Sequence, residues 1–275
     1  MAIKGGKSAR RALWTTVLAM LLLMSLLLLI LLAVGLLGVP SGIAPPEGDI
    51  TLRLPKDLLE MPVWTETISW QPRASVFHNF LSSEECDHLI RLAQPNMKRS
   101  AVVDNQTGKS KDSRVRTSSG TFLRRGQDEI ISRIEERIAK FTFIPKEHGE
   151  GLQVLHYEVG QKYDAHHDYF HDKVNTKNGG QRVATVLMYL SDVEEGGETV
   201  FPSAKVNSSS VPWWDELSEC GKKGVSVKPR KGDALLFWSM SPDAELDPFS
   251  LHGGCPVIKG NKWSATKWMH LREYV

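Results

Sequence analysis

The chain has 275 residues, enough for one or two domains at roughly 150 residues each. Its 41% hydrophobic and 24% charged residues are typical of globular proteins and exclude wholesale disorder and fibrous repeats. The formal net charge of +2 hides a division, because residues 1–46 hold four basic residues and no acidic one, leaving 30 basic and 32 acidic residues elsewhere. No domain is basic enough for a nucleic-acid-binding protein, so we expect no nucleic-acid partner.

The N-terminal region predicts a membrane anchor. Residues 13–39 are uncharged and consist mostly of Leu, Val, Ala, Met and Ile, and a bilayer core about 30 Å thick needs roughly 20 such residues. A cleaved signal peptide has an apolar region of only about 7–15 residues, which this run exceeds. All the basic residues of the region precede the run, which favours a cytosolic tail at residues 1–12. We therefore expect a single-pass type II anchor at 13–39, with the remainder in the lumen of the endoplasmic reticulum and/or the Golgi.

Two further features fit the secretory pathway. Asn105 and Asn207 each begin an N-x-[ST] sequon and are candidate glycosylation sites. The chain has three cysteines, and an oxidising lumen permits one internal disulfide with one thiol left over. We expect Cys220 and Cys255 to pair, because they flank the same half of the region assigned below to catalysis, which leaves Cys86 as the thiol.

The first elements after the anchor are a stalk and two helices. Residues 40–69 are proline-rich and predict an extended luminal stalk, and folding is expected to begin near residues 64–77. Apolar spacing predicts a helix over residues 84–93, with Ser82 or Ser83 as its N-cap, and a second amphipathic helix over residues 128–141. The polar segment 96–119 between them predicts an exposed loop.

From residue 151 the pattern changes to short strands separated by Gly, Pro, Asn and Ser. Predicted strands cover residues 152–159, 182–190, 199–201, 225–229, 233–238 and 263–271. Helices followed by many strands indicate an α+β fold, a β-sandwich or barrel with helices packed on one side. Because no stretch alternates strands with long helices, a doubly wound parallel sheet is not expected.

The segment around His166 suggests a metal site. If it is a strand, residues two apart share a face, so His166 and Asp168 aim at one point while His167 points away. His252, beside a later strand, offers a third ligand. Two histidines and one carboxylate that leave open positions are the arrangement of non-haem Fe(II) oxygenases, although an isolated H-x-D triplet equally fits a pair of surface polar residues.

A lysine on a later predicted strand strengthens the metal reading. Lys262 follows His252 closely in sequence and could pair with the distal carboxylate of a dicarboxylic 2-oxo acid that chelates the iron. A zinc hydrolase is compatible with the same ligand types, but it has no evident general base and leaves Lys262 unexplained.

Five strings carry a resemblance to a known family. They are YEVGQKY (157–163), HHDYF (166–170), GGETVFP (196–202), KPRKGDAL (228–235) and HGGCPV (252–257). Residues 70–274 resemble, with these strings in the same order, the catalytic domain of the prolyl 4-hydroxylases, most closely the short membrane-anchored plant-type enzymes. The resemblance implies a double-stranded β-helix (jelly-roll) core at residues 70–275, supported by N-terminal helices and preceded by one transmembrane helix.

The resemblance also implies cofactors and residue roles. Fe(II) is expected to bind His166, Asp168 and His252, with 2-oxoglutarate as co-substrate and L-ascorbate to rescue over-oxidised iron. Lys262 is expected to pair with the 5-carboxylate of 2-oxoglutarate, assisted by the hydroxyls of Tyr157 and Thr199. Three residues are expected near the peptide substrate: Tyr163, Arg182 and Trp268.

The implied activity is a procollagen-proline 4-dioxygenase type of reaction. Peptidyl proline in proline-rich secretory or cell-wall proteins becomes 4-hydroxyproline, with release of succinate and CO2, and association with other prolyl hydroxylases is a further expectation. Two alternatives stay open: a 2-oxoglutarate-dependent hydroxylase of another side chain, and a non-catalytic, membrane-tethered partner that binds proline-rich peptides. The intact iron and lysine positions argue against the second.

Overall fold

The computed structural model describes Met20 and residues 22–26, 62–103, 110–112 and 115–275. The chain divides into Met1–Leu54 and Pro55–Val275, and all the structure below belongs to the second unit. Residues 22–26 are helical. The tail, most of the predicted anchor, the stalk up to residue 61 and Asn105 lie outside the described residues. Among the helices that are described, none combines the length and apolarity needed to cross a bilayer.

The described residues of the second unit form two α-helices, α1 (Ser83–Ala93) and α2 (Glu129–Thr142). Its strands, in chain order, are β1 (Trp64–Trp70), β2 (Arg73–His78), β3 (Lys98–Arg99), β4 (Ala101–Val103), β5 (Ser110–Asp112), β6 (Ser119–Leu123), β7 (Leu152–Tyr157), β8 (Tyr163–His166), β9 (Arg182–Tyr189), β10 (Glu195–Gly196), β11 (Thr199–Phe201), β12 (Val225–Val227), β13 (Ala234–Trp238), β14 (His252–Gly254), β15 (Val257–Lys259) and β16 (Lys262–His270).

The strands form two main sheets. The larger has eight strands in the order β1-β2-β13-β9-β16-β7-β6-β3, and the smaller has four in the order β12-β11-β14-β8. All their pairings are antiparallel, and neighbours in each sheet are often distant in sequence. This is a β-rich, jelly-roll-like core, as expected. The sheet begins at Trp64, earlier than the domain start expected at residue 70.

Local sequence signals account for both helices. Ser82 caps α1 through a capping box, in which its hydroxyl accepts from the Glu85 amide at 3.2 Å and the Glu85 carboxylate accepts from the Ser82 amide at 3.0 Å. Asp128 caps α2 by accepting from the Ile131 amide at 2.8 Å. The apolar faces of both helices, including Leu89 and Ile134, are buried in one cluster with residues of the eight-stranded sheet. The helices thus cover one face of that sheet.

Two predictions need correction. The segment 96–119, predicted as an exposed loop, contributes β3, β4, β5 and the first residue of β6, because its backbone pairs β3 with β6 and β4 with β5. The segment that carries the His166 triplet is a strand only as far as His166 itself, so Asp168 lies beyond the end of β8. Alternation along a strand therefore does not explain how Asp168 reaches the metal cluster.

Candidate active site

Antiparallel pairing brings the two histidines of the predicted metal site together. His166 ends β8 and His252 begins β14, and the two are register partners in the four-stranded sheet. Their Nε2 atoms lie 3.5 Å and 3.6 Å from the two carboxylate oxygens of Asp168. One potential ligand atom from each of the three residues lies within 4.8 Å of the others. The structure thus assembles the predicted ligand set.

Burial and charge hold His252 and Asp168 in the forms that bind a metal. Burial lowers the pKa of His252 to about 4, although the Asp168 carboxylate opposes that shift, so the imidazole is neutral at physiological pH. Burial of Asp168 opposes ionisation, yet the neighbouring His252 and His166 outweigh it and lower the pKa of the carboxyl group. A neutral imidazole and an ionised carboxylate are the states that coordinate a metal ion.

The histidine between these ligands faces elsewhere, as predicted. The His167 ring stacks on Tyr169 with centroids 4.4 Å apart, and its Nε2 lies 3.2 Å from the Pro248 carbonyl oxygen. It does not line the cavity that contains the cluster. Of the two adjacent histidines, His166 alone faces the cluster.

Lys262 is a buried cation on the wall of the same cavity. It is 4% exposed, begins β16 and pairs with Tyr157 of β7. Its Nζ donates to the Gly197 carbonyl oxygen at 2.7 Å and lies 5.6 Å from the ring centroids of both Tyr157 and Tyr189. Burial lowers its pKa to about 8, opposed by the charge of Glu198. The Lys262 ammonium group is therefore buried beside the cavity, where it could pair with an anionic ligand.

The other two residues expected to hold the co-substrate lie beside Lys262. Tyr157 and Thr199 are buried and line the cavity with it. The Thr199 hydroxyl accepts a hydrogen bond from the Tyr189 hydroxyl at 2.9 Å. Gly197 adopts a left-handed backbone conformation at φ 69°, which aims its carbonyl oxygen at Lys262. The structure thus places all three predicted co-substrate residues in one cavity, Tyr157 and Lys262 from the eight-stranded sheet and Thr199 from the four-stranded sheet.

The cavity has a volume of about 470 Å³, including its open mouth. Its lining contains both the metal cluster and the three residues expected to hold the co-substrate: Arg116, Leu155, Tyr157, Tyr163, His166, Asp168, Thr185, Leu187, Thr199, Phe237, His252, Gly253, Gly254, Lys262, Ser264, Thr266 and Trp268. The donor set suits Fe(II), for which two histidines and one carboxylate are typical ligands. The buried cation suits the far carboxylate of a dicarboxylic acid.

The three residues expected near the substrate differ in position. Tyr163 stacks on His166 with centroids 3.7 Å apart, and both Tyr163 and Trp268 line the cavity. Arg182 is absent from the lining. It forms a bidentate pair with Glu150 at 2.6 and 3.1 Å, and its guanidinium lies 4.0 Å from the Trp268 ring centroid. Arg182 therefore packs against the Trp268 ring without lining the cavity itself.

Sequence reasoning missed Arg116. This buried residue lines the cavity, with its guanidinium 4.7 Å from the Tyr163 ring centroid and its Nη2 donating to Gln153 at 2.8 Å. Its Nε and the Nε1 of Trp268 are buried and have no hydrogen-bond partner within the described part of the chain. Arg116 lies in a Lys-, Arg- and Ser-rich segment that looks solvated, so no local signal marks it.

The predicted disulfide is present and attaches a loop near this site. Cys220 and Cys255 are bonded, as expected, and Cys86 is a buried free cysteine. Cys255 lies in the turn after β14, close in sequence to His252. Its amide donates to the carbonyl oxygen of Glu198 at 2.8 Å, and the Glu198 carboxylate accepts from Ser218. The loop around Cys220 is thus attached to both β14 and the start of β11.

Comparison with known proteins identifies a family that shares this kind of site. Residues 152–270 match the model of the 2OG-Fe(II) oxygenase superfamily. This range contains the three members of the metal cluster and Lys262. The iron and 2-oxoglutarate chemistry of that superfamily agrees with the ligand set and with the buried cation.

Individual relatives agree. A probable prolyl 4-hydroxylase 3 of Arabidopsis thaliana is 77% identical over 211 residues, which cover 77% of this chain and 74% of the relative. A probable prolyl 4-hydroxylase 10 of the same organism is 65% identical over 277 positions, covering 97% and 96%. A viral collagen prolyl hydroxylase from Paramecium Bursaria Chlorella virus-1, solved as its 2OG complex, has a TM-score of 0.52 at 29% identity, covering 71% of this chain and 94% of the viral one. The chain is a member of the prolyl 4-hydroxylase family.

Proposed function

We propose that this chain converts peptidyl proline to 4-hydroxyproline, using Fe(II), O2 and 2-oxoglutarate with release of succinate and CO2. One observation carries the proposal. A cluster of two histidines and a carboxylate and the buried Lys262 line a single cavity. The choice of proline rests on the relatives, which are named prolyl 4-hydroxylases.

Bound Fe(II) and 2-oxoglutarate supply the oxidising chemistry, and the protein supplies binding, orientation and exclusion of water. His166, Asp168 and His252 would hold the metal. Lys262 would neutralise the distal carboxylate of 2-oxoglutarate, with Tyr157 and Thr199 lining the same cavity.

The proposed substrate is a proline-rich segment of a secretory or cell-wall protein. Such segments adopt the polyproline II conformation, which aromatic-lined grooves recognise. Tyr163 and Trp268 provide aromatic rings at the cavity, and Arg182 supports Trp268.

The decisive experiment is product analysis. The purified protein is incubated with Fe(II), 2-oxoglutarate, ascorbate and a proline-rich peptide, and hydroxyproline is mapped by mass spectrometry. We expect hydroxylation at proline C4 with succinate release that depends on the peptide. Hydroxylation of lysine or another side chain would favour the other hydroxylase hypothesis, and the absence of peptide-dependent succinate would favour a non-catalytic peptide-binding protein.

We further propose a single-pass type II membrane protein of the endoplasmic reticulum or Golgi, with residues 40–275 in the lumen. The apolar run at 13–39 and the basic residues that precede it support this orientation. The Cys220–Cys255 disulfide fits an oxidising compartment. Asn207 is exposed and lies in a short turn, where its side chain accepts from the Ser209 amide at 3.2 Å. It is therefore accessible to glycosylation.

A glycosylation reporter fused to the C-terminus tests the orientation. Modification of the reporter that is sensitive to endoglycosidase supports a luminal C-terminus, and an N207Q variant should lose one glycan if that sequon is used. An unmodified reporter with a protease-sensitive C-terminus in intact microsomes would contradict the topology and the secretory substrates together. Association with other prolyl hydroxylases is a separate proposal, which co-purification from membranes would test.

A further inference from the structure

The main chain fixes the two histidines of the metal cluster. The Nδ1 of His166 lies 2.9 Å from the carbonyl oxygen of Asp164, and the Nδ1 of His252 lies 2.9 Å from that of Ser250. Because a carbonyl oxygen only accepts, both Nδ1 atoms carry the hydrogen and both Nε2 atoms are free to bind a metal. Substitution of a side chain cannot remove either of these restraints.

Among the residues that the structure describes, none offers the Asp168 carboxylate an equivalent main-chain hydrogen bond. It lies beyond the end of β8, outside the regular pairing that positions His166 and His252. The carboxylate instead accepts a hydrogen bond from the Thr185 hydroxyl, with 2.6 Å between Oγ1 and Oδ2. Arg182 contacts only the backbone carbonyl of Asp168, at 3.4 Å. A side-chain hydroxyl therefore orients the one acidic member of the cluster.

The sheet has no need of that hydroxyl. Thr185 lies in the middle of β9, where its backbone is registered with Phe237 on one side and Trp268 on the other. Its side chain is 1% exposed and lines the cavity. A valine of nearly the same shape would fill the same space and suits a strand equally well. The Thr185 hydroxyl thus hydrogen-bonds Asp168 and is not required for strand pairing.

We propose that Thr185 is a positioning residue for the metal site. Its hydroxyl occupies one lone pair of the Asp168 carboxylate and holds the carboxylate plane toward the imidazoles of His166 and His252. This inference rests on the proposed metal site. Partners of this kind set the orientation and basicity of a ligand, and their loss typically weakens metal affinity tenfold to a hundredfold.

The test measures metal binding in the absence of turnover, with Co(II) as the probe. The purified full-length protein is titrated with Co(II), and both the dissociation constant and the visible absorption spectrum are recorded. We expect T185V to weaken Co(II) binding about tenfold to a hundredfold and to change the spectrum. T185S, which keeps the hydroxyl, should restore both.

A control variant removes a buried threonine hydroxyl elsewhere. Thr142 is buried near the end of α2, where its hydroxyl donates to the Ile138 carbonyl oxygen at 2.8 Å. T142V should leave the dissociation constant and the spectrum of the Co(II) protein unchanged, even where it lowers the melting temperature. A T142V effect equal to that of T185V would show that any loss of stability weakens metal binding, and would overturn the proposal.

The outcomes separate this inference from the metal site on which it rests. If wild-type protein fails to bind Co(II), the metal site itself is wrong. If wild-type protein binds it and T185V binds it equally well with the same spectrum, Thr185 has no positioning role. Should T185V fail to fold, T185A and T185S provide the comparison, and equal affinity in those two variants would again overturn the proposal.

Discussion

Lys262 donates a hydrogen bond to the carbonyl oxygen of Gly197, with 2.7 Å between Nζ and the oxygen. No carboxylate of the described residues forms a salt bridge with this buried ammonium group. Glu198, next to Gly197, influences it only through its charge. A buried charge that lacks an ionic partner is costly, so a bound dicarboxylate would complete the site.

Removal of the Lys262 ammonium should disable co-substrate binding. In K262A the distal carboxylate of 2-oxoglutarate would enter a partly enclosed pocket without its cation. Loss of one partner of a buried charge pair costs about 3–5 kcal/mol, and about 1.4 kcal/mol corresponds to tenfold in affinity. We expect the KM for 2-oxoglutarate to rise at least about a hundredfold, whereas Co(II) affinity is retained. An unchanged KM would remove Lys262 from the co-substrate site.

The same lysine should make co-substrate binding depend on pH. Burial lowers its pKa to about 8, and the ammonium is charged below that value. Affinity for 2-oxoglutarate should therefore hold below pH 8 and fall about tenfold per unit as the pH rises above it, because binding then requires uptake of one proton. Isothermal titration across this range measures the effect. K262R keeps its charge throughout this pH range. It should therefore bind 2-oxoglutarate more weakly than wild type, but with an affinity that does not change with pH. An affinity that falls with pH in K262R would assign the titration to another group.

Each of the three metal ligands should be required. H166A, D168A and H252A should each lose Co(II) binding and turnover, because each removes a donor from a cluster of three. His167 is the matched control, since it is adjacent in sequence yet faces Tyr169 and Pro248. H167A should retain metal affinity, with any loss of activity arising from packing or substrate contacts. Normal metal binding by any of the first three variants would exclude that residue as a ligand.

The disulfide should stabilise the fold. Cys220 and Cys255 are separated by 35 residues, a closed loop for which chain entropy predicts about 4 kcal/mol at most, with about 2–4 kcal/mol typical. The double variant C220S/C255S should lose about this much unfolding free energy in urea.

The free cysteine Cys86 tests the burial of the core, because burial raises the pKa of its thiol to about 12. Its thiol should resist alkylation in the native protein and react once the protein is unfolded; rapid native labelling would contradict its burial.

A buried ion pair that does not line the cavity gives a purely structural prediction. Lys267 and Glu135 are both buried, with 2.5 Å between Nζ and Oε1. E135A leaves the lysine charge unpaired, so the protein should lose about 3–5 kcal/mol of unfolding free energy. The double variant E135L/K267M, which replaces the pair with apolar groups, should recover most of that loss. A double variant as unstable as E135A would show that the ion pair is needed as such.

Some of these features could be read from sequence because their signals are local. The capping box at Ser82 and the apolar spacing of α1 and α2 each lie within a short window, and both helices form within a residue or two of the predicted bounds. The strand runs at 182–190 and 199–201 were recognisable for the same reason, since their side-chain composition and flanking turns are local. The ligand histidines and Lys262 could be selected because their residue types restrict the chemistry, and the resemblance then supplied the roles of Tyr157 and Thr199.

The tertiary structure decided how these pieces meet. Asp168 lies off the strand that alternation predicted, and its orientation depends on Thr185, which only the placement of β9 beside the metal cluster reveals. Arg116 lies in a segment that looks solvated by composition, yet it is buried against Tyr163. Arg182 pairs with Glu150 and supports Trp268. Composition, periodicity and capping are properties of a short window, and so the sequence determined the elements and the ligand types. Through-space contacts depend on strand register and on the crossing of β9, β14 and β16 between distant parts of the chain, which no local window encodes.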